Sequence, residues 1–185
     1  MKKYVLLLVM VVSILLGCVS MKIPSPDFEV SITDGEIEEL EIKIEPLWLE
    51  RGFSFSTKHY KPGIAYFWVS FNNKSNEIIK ILWEESSIIY DGSSYVPFLA
   101  GQKYVDAGSP PPPTIIPKNA SVDKDIYSSG QVEYSGGAYG MGWYTTTIGS
   151  KKSILVFCIE KAGAKKYVTV EVLAKSQEEV PPLQE

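Results

Sequence analysis

The feature that most constrains this chain is an alternation of apolar and polar side chains with a period of two, repeated in short runs. Leu40, Ile42 and Ile44 alternate with Glu41, Lys43 and Glu45. Such spacing puts the two sets on opposite faces of an extended strand, whereas a helix would need apolar residues every three or four positions. From Ile64 to Phe71, Phe67, Val69 and Phe71 fall on one face and Tyr66, Trp68 and Ser70 on the other. Ile79, Ile81 and Trp83 share a face opposite Lys80, and that apolar face is assigned to the core. Near the end of the chain Val168, Val170 and Val172 alternate with Thr169, Glu171 and Leu173. Ile37 is out of phase with Leu40, which predicts a bulge or strand break near Glu38-Glu39.

Turn chemistry separates these runs. Asn72-Asn73-Lys74-Ser75-Asn76 supplies residues that tolerate left-handed backbone or bond their own main chain. Asp91-Gly92-Ser93-Ser94 joins Ile88 to Tyr90 and Tyr95 to Phe98 as a hairpin, with Pro97 placing the second arm on an edge or at a bulge. Pro110 to Pro113 predicts a polyproline II segment across the surface. After Ile116-Pro117 a turn leads into Val122 to Tyr127, and a turn around Gly163 joins Ser153–Glu160 to Tyr167–Leu173. Seven to nine short strands without an amphipathic helix predict an all-β, antiparallel β-sandwich over residues 28–175, with Trp83 at its centre and a small barrel as the alternative.

The segments outside that body have a different character. Lys2 and Lys3 precede an apolar stretch, Tyr4 to Leu16, of thirteen residues, followed by Gly17 and Cys18. A membrane-spanning helix needs about 20 apolar residues, so this stretch reads as the core of an export signal. The arrangement resembles the lipobox of bacterial lipoprotein precursors, in which the peptide is cut before a cysteine that carries a diacylglycerol and is acylated at its new amine. That resemblance implies a signal peptide over 1–17, a lipidated Cys18 with a tether over 18–27, and attachment to membrane through the lipid. Several acyl chains on one residue make such attachment stable. Val19, where an Asp would signal retention, implies the outer membrane in a two-membrane bacterium. Removal of Lys2 and Lys3 takes the formal charge from −4 to −6, so the body is expected to stand off anionic lipid. Residues 176–185 read as a polar tail.

Residue counts exclude several chemistries. An acidic chain lacks the basic patch that nucleic-acid binding requires. Cys158 is the one thiol besides Cys18, so no intrachain disulfide is expected once Cys18 is lipidated, and its apolar run Ile154 to Ile159 reads as a buried strand. His59 is the sole histidine, which leaves neither a His/Cys zinc set nor a convenient catalytic base. No serine sits in a Gly-x-Ser-x-Gly elbow. Asp34, Glu36 and Glu38 could in principle hold a cation but lack the EF-hand pattern, and they read as a solvated acidic run. No cofactor, metal site or catalytic residue is assigned.

The candidate binding residues are Tyr134, Tyr139, Trp143 and Tyr144, aromatics interspersed with glycine in a long connection over residues 130–149. Such aromatics offer flat amphipathic surface with few rotamers to freeze, or, alternatively, Trp143 folds back over one end of the sandwich. The central and late segments also resemble bacterial lipoproteins of unknown function with immunoglobulin-like domains, through Asn73-Lys74-Ser75, Ile79-Lys80-Ile81-Leu82-Trp83, Ile116-Pro117 and Gly142-Trp143. This resemblance implies an immunoglobulin-like sandwich in the cell envelope and transfers no site residue. The expected function is a lipid-anchored, non-enzymatic envelope protein, a protein-interaction or accessory subunit with an envelope protein as partner. The alternatives are a glycan- or small-ligand-binding lipoprotein and a phage-type superinfection-exclusion lipoprotein.

Overall fold

Residues that alternate along the sequence meet between two sheets in three dimensions. The computed structural model describes residues 25–49, 62–137 and 140–175. Along the chain the strands are β1 (Phe28–Asp34), β2 (Leu40–Leu49), β3 (Gly63–Asn73), β4 (Ile79–Tyr90), β5 (Ser93–Tyr95), β6 (Pro97–Leu99), β7 (Thr114–Ile116), β8 (Ala120–Ser128), β9 (Val132–Gly137), β10 (Gly140–Thr145), β11 (Lys152–Lys161) and β12 (Ala164–Ala174). One sheet runs β1-β12-β11-β4-β5, with β7 on the other half of β4, and the second runs β2-β3-β8-β6. Every pairing is antiparallel. The segments expected as signal peptide and polar tail, and Cys18, lie outside the described residues.

The inner faces are the expected ones. Phe67, Val69 and Phe71 of β3, Ile79, Ile81 and Trp83 of β4, and Val168, Val170 and Val172 of β12 are all buried in one core. At its centre Phe71, Trp83 and Phe157 pack edge to face, with ring centroids 5.2 to 6.3 Å apart. Edge-to-face packing sets the positive rim of one ring against the negative face of another. The indole Nε1–H of Trp83 donates to Thr114 Oγ1 at 2.9 Å, so the largest buried side chain carries no unpaired donor.

More strands are present than the seven to nine expected. Pro97 has no amide hydrogen, and the chain crosses there from β5 in the first sheet to β6, the edge of the second. One predicted hairpin arm therefore serves two sheets. Conversely, Ile78–Trp83 and Ile88–Tyr90 merge into the single strand β4. Its register against β11 slips between Leu82 and Ser87, leaving Phe157 opposite an irregular stretch. The break expected near Glu38-Glu39 is a turn, with Leu40 N–H bonded to Ile37 O at 3.0 Å. Gly35 starts that crossover at φ +75°, and a Cβ there would lie 1.7 Å from Tyr167 O, so only glycine fits. Asp91 and Gly92, at φ 51° and 75°, make the two-residue turn that suits the twist of a hairpin.

The Asn72–Asn76 turn works through side chains, since none of its residues has positive φ. Fully buried Asn73 donates through Nδ2 to Glu77 O (2.8 Å) and Pro117 O (2.9 Å) and accepts at Oδ1 from Ser75 N (2.9 Å) and Ser75 Oγ (2.7 Å). It ties the β3–β4 turn to the β7–β8 turn. The proline run before β7 adopts no regular element, and Pro111 within it is buried while Pro110, Pro112 and Pro113 are exposed.

Candidate functional site

The segment 130–149, expected as a long loop, is instead a β-hairpin. β9 and β10 pair from Thr145↔Val132 at the base to Gly140↔Gly137 and form their own two-stranded sheet, separate from the sandwich. The alternation in this stretch is hidden because glycines occupy positions where strand side chains would signal it. Backbone pairing between the two arms, a nonlocal property, makes the hairpin.

Its root is rigidly bonded. The chain leaves β8 through a 3-10 turn, Ser129–Gln131, capped by the Ser128 hydroxyl, which accepts from Gly130 N at 3.1 Å. Gln131 is buried at the junction. Its Oε1 accepts from Ser128 N at 2.8 Å, and its Nε2 lies 3.1 Å from Ile64 O and 2.9 Å from both Ala65 O and Thr146 O. One amide thus joins the end of β8, the start of β3 and the returning arm of the hairpin. Ile148 completes the root, exchanging backbone hydrogen bonds with Ile64 at 2.8 and 2.9 Å. Gly63 is required beside it, because a Cβ would come within 2.4 Å of Ile148 O.

On this hairpin Tyr134 and Trp143 are direct cross-strand partners with ring centroids 5.3 Å apart at 60°. They remain 55% and 44% exposed. Trp143 therefore does not fold back to close the end of the sandwich. Of the other two sequence candidates, Tyr144 has its backbone in β10 opposite Glu133, and Tyr139 lies outside the described residues, as do Cys18 and His59.

A second aromatic surface went unrecognised in the sequence. On the outer face of the β2-β3-β8-β6 sheet, Tyr66 and Tyr127 lie 5.3 Å apart, Tyr127 reaches Phe98 at 6.1 Å, and Phe98 stacks on Tyr104 at 5.6 Å. Burial pushes the Tyr127 phenol up from its ordinary pKa, with the Asp125 carboxylate adding to the effect. Tyr66 was placed on the outward face by its alternation, but its neighbours come from three other segments.

Cys158 is a buried free thiol, and burial, followed by the nearby Glu85 charge, raises its pKa, which makes it a poor nucleophile. Glu85 itself is held below its ordinary value, first by the hydrogen bond from Lys165 and then by that from the Tyr167 hydroxyl at 2.9 Å. Among the described residues no three His, Cys, Asp or Glu side chains converge as a metal set, so Asp34, Glu36 and Glu38 are not brought together as one. Glu39, in the same acidic run, pairs with Lys161.

The described residues thus present an exposed aromatic pair on a separate hairpin and an aromatic cluster, with Phe98 buried beneath its tyrosines, on one sheet of the sandwich. Comparison with models of known protein families, with curated protein sequences and with solved structures found no match to this chain.

Proposed function

We propose that this chain is a lipid-anchored, non-enzymatic envelope protein, an accessory subunit built on an immunoglobulin-like sandwich. The observation that carries the contact role is the Tyr134–Trp143 pair, held exposed on a hairpin whose root is fixed by Gln131. Rigid, exposed aromatics lose little conformational entropy on contact. The lipobox resemblance at Leu15-Leu16-Gly17-Cys18 supports the anchor.

Strand order supports the immunoglobulin-like part of the proposal. In the lettering of that fold, β2-β3-β8-β6 corresponds to A-B-E-D and β5-β4-β11-β12 to C′-C-F-G. Trp83 then sits on strand C, while Phe71 and Phe157 occupy strands B and F, where antibody domains carry the disulfide that packs against the strand-C tryptophan. The hairpin becomes an insertion between E and F. β1, antiparallel to β12, is an added edge strand.

The test has two arms. A Cys18→Ser variant is expected to lose metabolic lipid labelling and to escape processing, and continued membrane fractionation of a processed form would overturn the anchor. A photo-crosslinker replacing Trp143 in cells is expected to capture a specific envelope component. Absence of any adduct, together with full function after Tyr134→Ala and Trp143→Ala, would overturn the contact role. The second reading, glycan binding, is favoured by the half-buried Tyr66 and Tyr127 and the exposed Tyr104 grouped around buried Phe98, since aromatic faces stack on sugar rings. Saturable tryptophan fluorescence change on titration with cell-wall fragments, abolished by Tyr127→Ala, would establish it instead.

A further inference from the structure

We infer that the Tyr134–Trp143 hairpin is a second, interfacial contact with the same lipid surface that holds Cys18. This inference rests on the proposed lipidation and concerns what the hairpin touches.

The placement follows from a chain of contacts. Phe28, the first residue of β1, packs against Trp48 with ring centroids 6.0 Å apart. Trp48 is the cross-strand partner of Ile64, and Ile64 is bridged to Ile148 and bonded through its carbonyl to Gln131. Gln131 and Thr146 are the two feet of the hairpin, joined by Thr146 N–H to Gln131 O at 2.7 Å. The hairpin root and the point where the tether enters the domain therefore lie at the same end of the sandwich. Lys175 N–H to Asp27 O and Ala174 N–H to Lys151 O, each 2.8 Å, draw the start of β11 and the end of β12 to that end as well.

Lengths agree with this placement. Between Cys18 and Phe28 the chain reaches ~35 Å at full extension. A six-residue arm reaches ~20 Å from its root. An anchored domain with its tether only partly extended would thus bring the hairpin to the bilayer surface.

Residue type agrees too. Charge does not separate the two ends, because Asp34, Glu36, Glu38, Glu39 and Glu41, where β1 finishes and β2 begins, share that end with Lys43, Lys74, Lys161, Lys165 and Lys166. Lys151, Lys152 and Lys175 are at the anchor end, although Lys152 and Lys175 are paired with Glu171 and Glu29. Tyrosine and tryptophan, each an apolar ring with a polar tip, are the side chains that settle at the membrane–water interface.

The test uses the full lipidated protein reconstituted in phosphatidylcholine vesicles with and without a brominated acyl chain, compared with Trp143→Phe. The expected result is that both proteins float with the vesicles, and that brominated lipid quenches a component of native emission missing from the variant. Equal quenching of both proteins, with flotation intact, overturns the hairpin contact and leaves the anchor standing. Failure of the native protein to float overturns both. Crosslinking of position 143 in cells to protein or glycan alone, with no lipid adduct, also overturns the inference.

Discussion

Two groups of aromatic rings in this molecule have nearly the same internal geometry and opposite surroundings. Phe71, Trp83 and Phe157 meet edge to face at 5.2 to 6.3 Å and are at most 1% exposed. Tyr134 and Trp143 meet at 5.3 Å, also edge to face, yet keep about half of their surface in water. Ring geometry alone does not reveal which role a pair plays. Burial does, because the free energy of removing apolar surface from water has been gained by the first group and is still available to the second.

The comparison breaks most visibly at the core. Phe157→Ala is expected to destabilise the domain by about 3–5 kcal/mol, through lost transfer free energy and a cavity beside Trp83. Denaturant unfolding of the domain measures this, and a loss below about 1 kcal/mol would mean that the centre collapses around the gap.

Next comes the root of the hairpin. Gln131→Leu leaves the Ile64, Ala65 and Thr146 carbonyls and the Ser128 amide without their side-chain partner, and a buried group left unpaired costs about 1–3 kcal/mol. Amide exchange in β9 and β10 is expected to accelerate more than exchange in β11, since the hairpin depends on this junction for its position.

Trp143→Ala should change global stability by no more than about 0.5 kcal/mol, the usual range for an exposed site. A loss comparable to that of Phe157→Ala would show that the hairpin belongs energetically to the core.

The smallest effect is an exposed polar one. Lys74 and Lys43 hydrogen-bond the Glu41 carboxylate and hold its pKa at about 2, against 4.5 ordinarily. A folded-state value below the unfolded one adds stability above pH 4.5, and this contribution is lost as pH falls toward 2. Glu41→Gln is expected to flatten that part of the acid unfolding curve slightly. High salt should mask the difference, because both lysines are solvated.

Much of the fold was legible where a single strand carries its own evidence. Phe67, Val69 and Phe71, or Val168, Val170 and Val172, declare a buried face by their spacing alone, and Asp91-Gly92 declares a hairpin by its tolerance of positive φ. The crossing at Pro97 was legible only as an edge or a bulge, because a missing amide hydrogen does not say which sheet lies on either side. Residues 130–149 misled in the other direction. Glycines removed the alternating pattern, so a paired hairpin looked like a loop.

The candidate site was half legible for the same reason. Tyr134 and Trp143 stood out by residue type, but their exposure and mutual contact depend on a register set by the whole hairpin. Tyr66, Tyr127, Phe98 and Tyr104 form one cluster only because three strands and a short 3-10 turn converge.

What the amino-acid sequence determined by itself is local: strand periodicity, turn chemistry, and an aromatic, glycine-rich segment. Tertiary structure decided what lies beside what. Asn73 and Pro117 are far apart in the chain and joined by one hydrogen bond, as are Gln131 and Ala65. Side-chain amides of this kind bind whichever carbonyl the packed sheets bring within reach, and no local pattern announces that partner in advance.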